Sequence, residues 1–83
     1  MPTLVSPVGA TTSPVMLEYE SARAEWFRVY VVRGGTVVLD RWTEDTTFDL
    51  GDRPSGNYSW WVAAWNAASG RTVWSGRGDF SIP

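Results

Sequence analysis

Apolar and polar residues alternate with a period of two along most of this chain, and the 3.6-residue spacing of an amphipathic helix is nearly absent. Residues 14–20 set Val15, Leu17 and Tyr19 against Met16, Glu18 and Glu20. Residues 25–33 set Phe27, Val29 and Val31 against Trp26, Arg28, Tyr30 and Val32. Gly34-Gly35 then reads as a two-residue hairpin turn, where a positive φ costs glycine little, and residues 36–43 return as the fourth strand. A fifth strand is expected over 46–50, with Phe48 and Leu50 inward, and a corner at 51–56 carrying Pro54 leads into a long sixth strand over 57–66. Prolines confine a first strand, 3–7, to a sheet edge, and the last strand, 71–82, is expected to carry a bulge at 76–78. Residues 21–26 form the one plausible turn of helix, too short to stand alone. Short strands divided by turns every 8–12 residues or so predict a single all-β domain, a sandwich, over residues 1–83.

Four of the six tryptophans fall between Gly56 and Gly76. Alternation sends Tyr58, Trp60, Val62 and Ala64 to one face of the sixth strand and Trp61 and Trp65 to the other. The first set completes an expected core of Val15, Leu17, Tyr19, Phe27, Val29, Val31, Phe48, Leu50, Tyr58, Trp60, Val62, Phe80 and Ile82. A chain of 83 residues buries only about 60–65% of its unfolded surface, so large core side chains are needed. The second set must be covered by something else or meet solvent.

Composition narrows the chemistry. Cysteine, histidine and lysine are all absent, which removes disulfides, thiolate and imidazole metal ligands, the commonest general base and Schiff-base chemistry. The net charge is −2 and the seven cations are scattered arginines, so no basic stripe for nucleic acid exists. No apolar run approaches the roughly 20 residues that span a membrane, and Met1-Pro2-Thr3 leads straight into domain sequence, so no signal peptide is expected. Glu44, Asp45, Asp49 and Asp52 surround the fifth strand. They lack the Asp-x-Asp-x-Asp-Gly spacing of a calcium loop and read as a solvated rim. No cofactor and no catalytic constellation is expected, and the chain reads as a non-enzyme.

Several landmarks occur in a familiar order. Leu4-Val5-Ser6-Pro7 opens the chain, Leu17-x-Tyr19 marks the second strand, and Trp26-Phe27-Arg28-Val29-Tyr30-Val31 the third. Gly56-x-Tyr58-x-Trp60-x-Val62-x-Ala64-x-Asn66 forms the sixth, followed by Gly70, Trp74-Ser75 and Phe80-x-Ile82. Over nearly its whole length the chain resembles a fibronectin type III module, and more closely the immunoglobulin-like variants of large bacterial secreted and surface proteins. The resemblance implies a seven-stranded Greek-key β-sandwich, an extracellular or cell-surface setting within a larger protein, and a tyrosine corner at Tyr58. Such modules act as spacers, adhesion elements or ligand binders. It also implies that the third, sixth and seventh strands share a sheet, with Trp26, Arg28 and Tyr30 beside Trp61, Ala63 and Trp65 on its outer face.

That face is the candidate site: Trp26, Arg28, Tyr30, Trp61 and Trp65, joined by Trp42 if its register turns it outward. It can be a self-contained ladder, with Arg28 and Arg71 lying over Trp61 and Trp65. It can dock a protein partner, a neighbouring domain or a second copy, since Trp, Tyr and Arg are the usual anchors. It can also be a platform on which polysaccharide stacks. The reading placed first is a non-catalytic spacer or protein-interaction module. The strand over 36–43, guarded only by Asp40 and Arg41, offers an edge for pairing in an assembly. Arg77-Gly78-Asp79 matches the integrin-recognition tripeptide but is expected inside the final strand rather than at the loop near 67–71. Asn57-Tyr58-Ser59 fits a glycosylation sequon with Asn57 outward.

Overall fold

The computed structural model describes residues 2–83, and no helix occurs among them. Nine strands follow in chain order: β1 (Thr3–Ser6), β2 (Gly9–Ala10), β3 (Val15–Glu20), β4 (Trp26–Arg33), β5 (Thr36–Thr43), β6 (Thr47–Gly51), β7 (Gly56–Asn66), β8 (Arg71–Trp74) and β9 (Gly78–Ile82). One sheet has the order β1-β3-β6. The other runs β2-β9-β7-β4-β5, with β8 also paired to β7. The architecture is all-β and sandwich-like, with one core fed by both sheets.

Period-two alternation decides what enters that core. Val15, Leu17 and Tyr19 are buried while Met16, Glu18 and Glu20 are exposed, and Phe27, Val29 and Val31 are buried on β4. The expected core residues are all buried except Phe48, which packs half-buried at its margin, and Ala64 joins them. Gly34 and Gly35 turn the β4–β5 hairpin at φ 54° and 85°, the left-handed region that a two-residue turn needs and a side chain disfavours. Residues 21–26 contain a tight turn, with Arg23 at φ 60°, in place of a helical one.

Two strands are divided, the first of them reaching past the expected 3–7. It passes from one sheet to the other: β1 pairs antiparallel with β3, and β2, which was not expected, pairs parallel with β9. Pro7 lies at the break and has no N–H to continue a ladder. The C-terminal strand is interrupted at residues 75–77, and both of its parts pair with β7. Ser75 spans the gap. Its N–H donates to the Val62 carbonyl at 2.8 Å, and its Oγ accepts from the Val62 N–H at 3.0 Å. Buried backbone groups that a bulge would orphan are thereby paired.

Trp60 is fully buried at the centre of the core, edge-on to Tyr19 at 6.5 Å. Tyr19 in turn meets Phe27 edge-on at 5.0 Å. Gly78 stands opposite Trp60 in the ladder, and a Cβ there would lie 2.7 Å from both Trp60 Nε1 and Leu4 Cδ1. The absence of a side chain at 78 is what lets the indole approach the β9 backbone. Two hydroxyls anchor the ends of the core. Tyr58 Oη donates to the Pro54 carbonyl at 2.6 Å, the corner contact expected, and its ring stacks on Phe80 at 5.0 Å. Tyr19 Oη donates to the Asp45 carbonyl at 2.7 Å.

Two predictions follow from this packing. Trp60→Ala should lose about 3–5 kcal/mol of stability, and Gly78→Ala about 1–3 kcal/mol through overpacking, both read by urea unfolding. A Gly78→Ala protein as stable as the parent would contradict the close approach. Burial, reinforced by the nearby Asp45 charge, pushes the Tyr19 phenol up to about 12. An unfolded tyrosine ionises near 10, so the unfolded chain sheds its proton first. Stability present in full below about pH 10 should fall as pH rises toward 12. In Tyr19→Phe that part of the alkaline loss should be absent, and an unchanged pH profile would refute the assignment.

Candidate binding face

Strands β5, β4, β7 and β8 lie side by side, and their registers assemble the outer face. Across β4 and β7, Trp26 faces Trp65, Arg28 faces Ala63 and Tyr30 faces Trp61, as alternation and the resemblance had led us to expect. The flanking strands add two more indoles. Trp42 on β5 stands opposite Arg28, and Trp74 on β8 stands opposite Ala63. Trp26, Trp42 and Trp74 are 39%, 46% and 42% exposed, whereas Trp60 is fully buried. Five of the six tryptophans therefore lie on one face of one sheet.

Irregularities turn the two flanking indoles outward. The β4–β5 hairpin starts with Arg33 opposite Thr36 and Val32 opposite Val37, but Val31 then meets Leu39. Val38 is the extra residue. Without it Trp42 would stand opposite the buried Phe27, and the bulge moves it one place to Arg28. Trp74 behaves likewise. Residue 74 has the parity of Phe80 and Ile82, which are buried, so an unbroken strand would turn it inward. The register changes from Ala63 opposite Trp74 to Trp60 opposite Gly78 across residues 75–77, and that shift inverts the face. Trp74 was absent from the candidates drawn from the sequence for this reason.

The face divides into two halves of different character. In the first, Arg28 Nε and Nη2 donate to the two carboxylate oxygens of Asp40, each at 2.7 Å. This bidentate bond holds the Asp40 carboxyl below its usual range and raises the Arg28 guanidinium. The pair is about a third exposed, so its Coulomb energy is largely screened and its main effect is to fix the guanidinium. Arg28 Cζ sits 5.7 Å from the Trp74 ring centroid. To reach it the side chain crosses Ala63, which is fully buried although it faces outward. Tyr30 lies 6.0 Å from Trp61 and edge-on to Trp74 at 6.5 Å. An arginine-capped aromatic ladder, one of the alternatives for this face, is thus present in this half, with its cation over Trp74 rather than over Trp61 or Trp65. Arg71 stands opposite Asn66 on the other phase of β8 and takes no part.

In the second half, Trp26, Trp42, Trp65 and Thr72 line a shallow depression of about 470 Å³. No ring–ring pair among the described residues includes any of these three indoles, although Trp26 and Trp65 are direct partners in the ladder. No charged side chain lines it.

The remaining candidates are dispersed. Gly78 and Asp79 open β9 and Arg77 precedes it, while the β7–β8 hairpin tip is at 67–70. Asp79 is engaged by Ser59 Oγ at 2.7 Å and by Arg77 Nε at 3.3 Å, and Gly78 accommodates Trp60. Asn57 is exposed on β7. The Asp49 carboxylate accepts from the Gly51 N–H at 2.8 Å. Among the described residues no three acidic side chains gather as a metal site, and no helix is long and apolar enough to cross a membrane.

No family model, no curated protein and no solved structure matches the chain. What the face can do has to be argued from its own residues.

Proposed function

We propose that this chain is a non-catalytic recognition module with fibronectin type III-like topology, a spacer within a larger extracellular protein that carries a binding surface on one sheet. The topology draws support from the two divided strands. Counting β1 with β2 and β8 with β9 leaves seven strands, and the connections β3–β4, β5–β6 and β6–β7 pass between sheets as in a Greek key. The observation that carries the functional reading is the placement of Trp26, Trp42, Trp61, Trp65 and Trp74 on one outer face. An aromatic surface of that extent is unusual on a protein with nothing to bind.

Two kinds of occupant suit such a face. A protein or neighbouring domain would cover about 800 Å², roughly a sixth of the 4983 Å² total surface, and so would extend over both halves. A polysaccharide would need only the open indoles.

Side chains kept for recognition contribute little to the stability of the free protein. Trp26→Ala and Trp42→Ala should each leave the urea midpoint, followed by circular dichroism, within about 0.5 kcal/mol of the parent. A loss above about 2 kcal/mol in both would make these indoles part of the framework and overturn the reading.

A further inference from the structure

We propose that the half of the face lined by Trp26, Trp42, Trp65 and Thr72 is a stacking subsite for a neutral polysaccharide. This rests on the outer face being a recognition surface and adds the class of ligand.

The two halves differ in what they leave unpartnered. Around Arg28 the molecule supplies its own partners: a carboxylate for the guanidinium, a guanidinium for Trp74, and Tyr30 for Trp61 and Trp74. Around Trp42 it supplies none. Three indoles border one depression without stacking on each other, so their π faces are left to a ligand.

Charge separates the classes of ligand. A charged ligand entering the depression would lose water and meet no counter-charge, because Trp, Trp, Trp and Thr line it. The nearest charges on the face, Arg28 and Asp40, are already bound to one another. A neutral ligand meets no such charge penalty there. Hydroxyl groups would find the indole N–H donors and the Thr72 hydroxyl, which both donates and accepts. A few polar groups within an apolar lining are the usual make-up of a small-ligand site.

Spacing also fits a linear chain. β5 and β7 flank β4, and Trp42 stands opposite Arg28, two residues along β4 from the Trp26–Trp65 pair, so the Trp42 and Trp65 backbones stand about 12 Å apart. Trp26 lies on the intervening strand, beside Trp65. Three consecutive pyranose rings of a linear chain cover such a span, the outer two each presenting a C–H face to an indole. A protein partner would also have to bury the Arg28–Asp40 half to reach ordinary interface size, whereas a glycan chain would not.

The test uses the full chain and calorimetric titration with hydroxyethyl cellulose, mixed-linkage β-glucan and xylan, beside polygalacturonate as an anionic glycan and choline as a cation that aromatic cages bind. At least one neutral polysaccharide should bind saturably. Trp42→Ala should weaken that binding about tenfold or more, as loss of an aromatic anchor does, while Trp74→Ala, in the satisfied half, should leave it nearly unchanged. Circular dichroism verifies that both variants are folded. Binding lost in Trp74→Ala but kept in Trp42→Ala would overturn the assignment, as would equal binding of polygalacturonate or a preference for choline. If no neutral glycan binds while Trp26→Ala and Trp42→Ala keep parental stability, the glycan proposal fails and the recognition face survives with another class of occupant. Loss of stability in those variants would instead remove the recognition reading itself.

Discussion

The contact between the Trp60 indole and the bare backbone of Gly78 sets the phase of everything around it. Trp60 is the largest fully buried side chain, and it can lie under β9 because position 78 carries no Cβ. Once it points inward, alternation along β7 leaves no freedom for its neighbours: Trp61, Ala63 and Trp65 must point outward. A slip of one residue would bury Trp61 and Trp65 and expose Tyr58, Trp60 and Val62, exchanging the two faces of the central strand. The core and the aromatic face are therefore two consequences of one packing choice. The same contact accounts for Gly78 within Arg77-Gly78-Asp79: the glycine there serves the core.

On the outer face, bulges rather than alternation complete the arrangement. One extra residue at Val38 and one register shift at 75–77 bring Trp42 and Trp74 to the side on which β4 and β7 present their indoles. The Ser75 side chain and N–H keep Val62 paired across the second irregularity, so the shift leaves no orphaned backbone on that side. Bulges are commonly placed where a strand has to re-aim a side chain. Here each adds an indole to one of the two halves, Trp42 to the open one and Trp74 to the one closed by Arg28.

Much of this was readable in the sequence, and the reasons differ by element. The inward sets of β3 and β7 follow from alternation over six to eleven residues, with the phase fixed by Val15-x-Leu17-x-Tyr19 and Tyr58-x-Trp60-x-Val62, whereas the pairing of β4 with β7 was implied only by the resemblance. The bond from Tyr58 to the Pro54 carbonyl stands where the resemblance implied a tyrosine corner. Trp42 and Trp74 were not readable, since each depends on a single inserted residue that no local pattern announces. The side taken by Trp42 was left open, because a regular hairpin over residues 34–43 would turn it inward and the Val38 bulge turns it outward. Phe48 fell short of full burial because β6 borders β3 at the end of a three-stranded sheet, where the cover is incomplete. The two-residue β2 was hidden for a related reason: a parallel pair with β9 is invisible to alternation.

One tryptophan lies within the core and five on the outer face. Biosynthetic labelling with 5-fluorotryptophan and ¹⁹F spectra recorded with a neutral gadolinium chelate would count them directly, with each resonance assigned by a single Trp→Phe substitution. The Trp60 resonance should be protected from the probe, and those of Trp26, Trp42 and Trp74 should broaden most, with Trp61 and Trp65 between. A second fully protected indole, in particular Trp42 or Trp74, would mean that the bulges do not re-aim these strands, and the aromatic face as described would not exist.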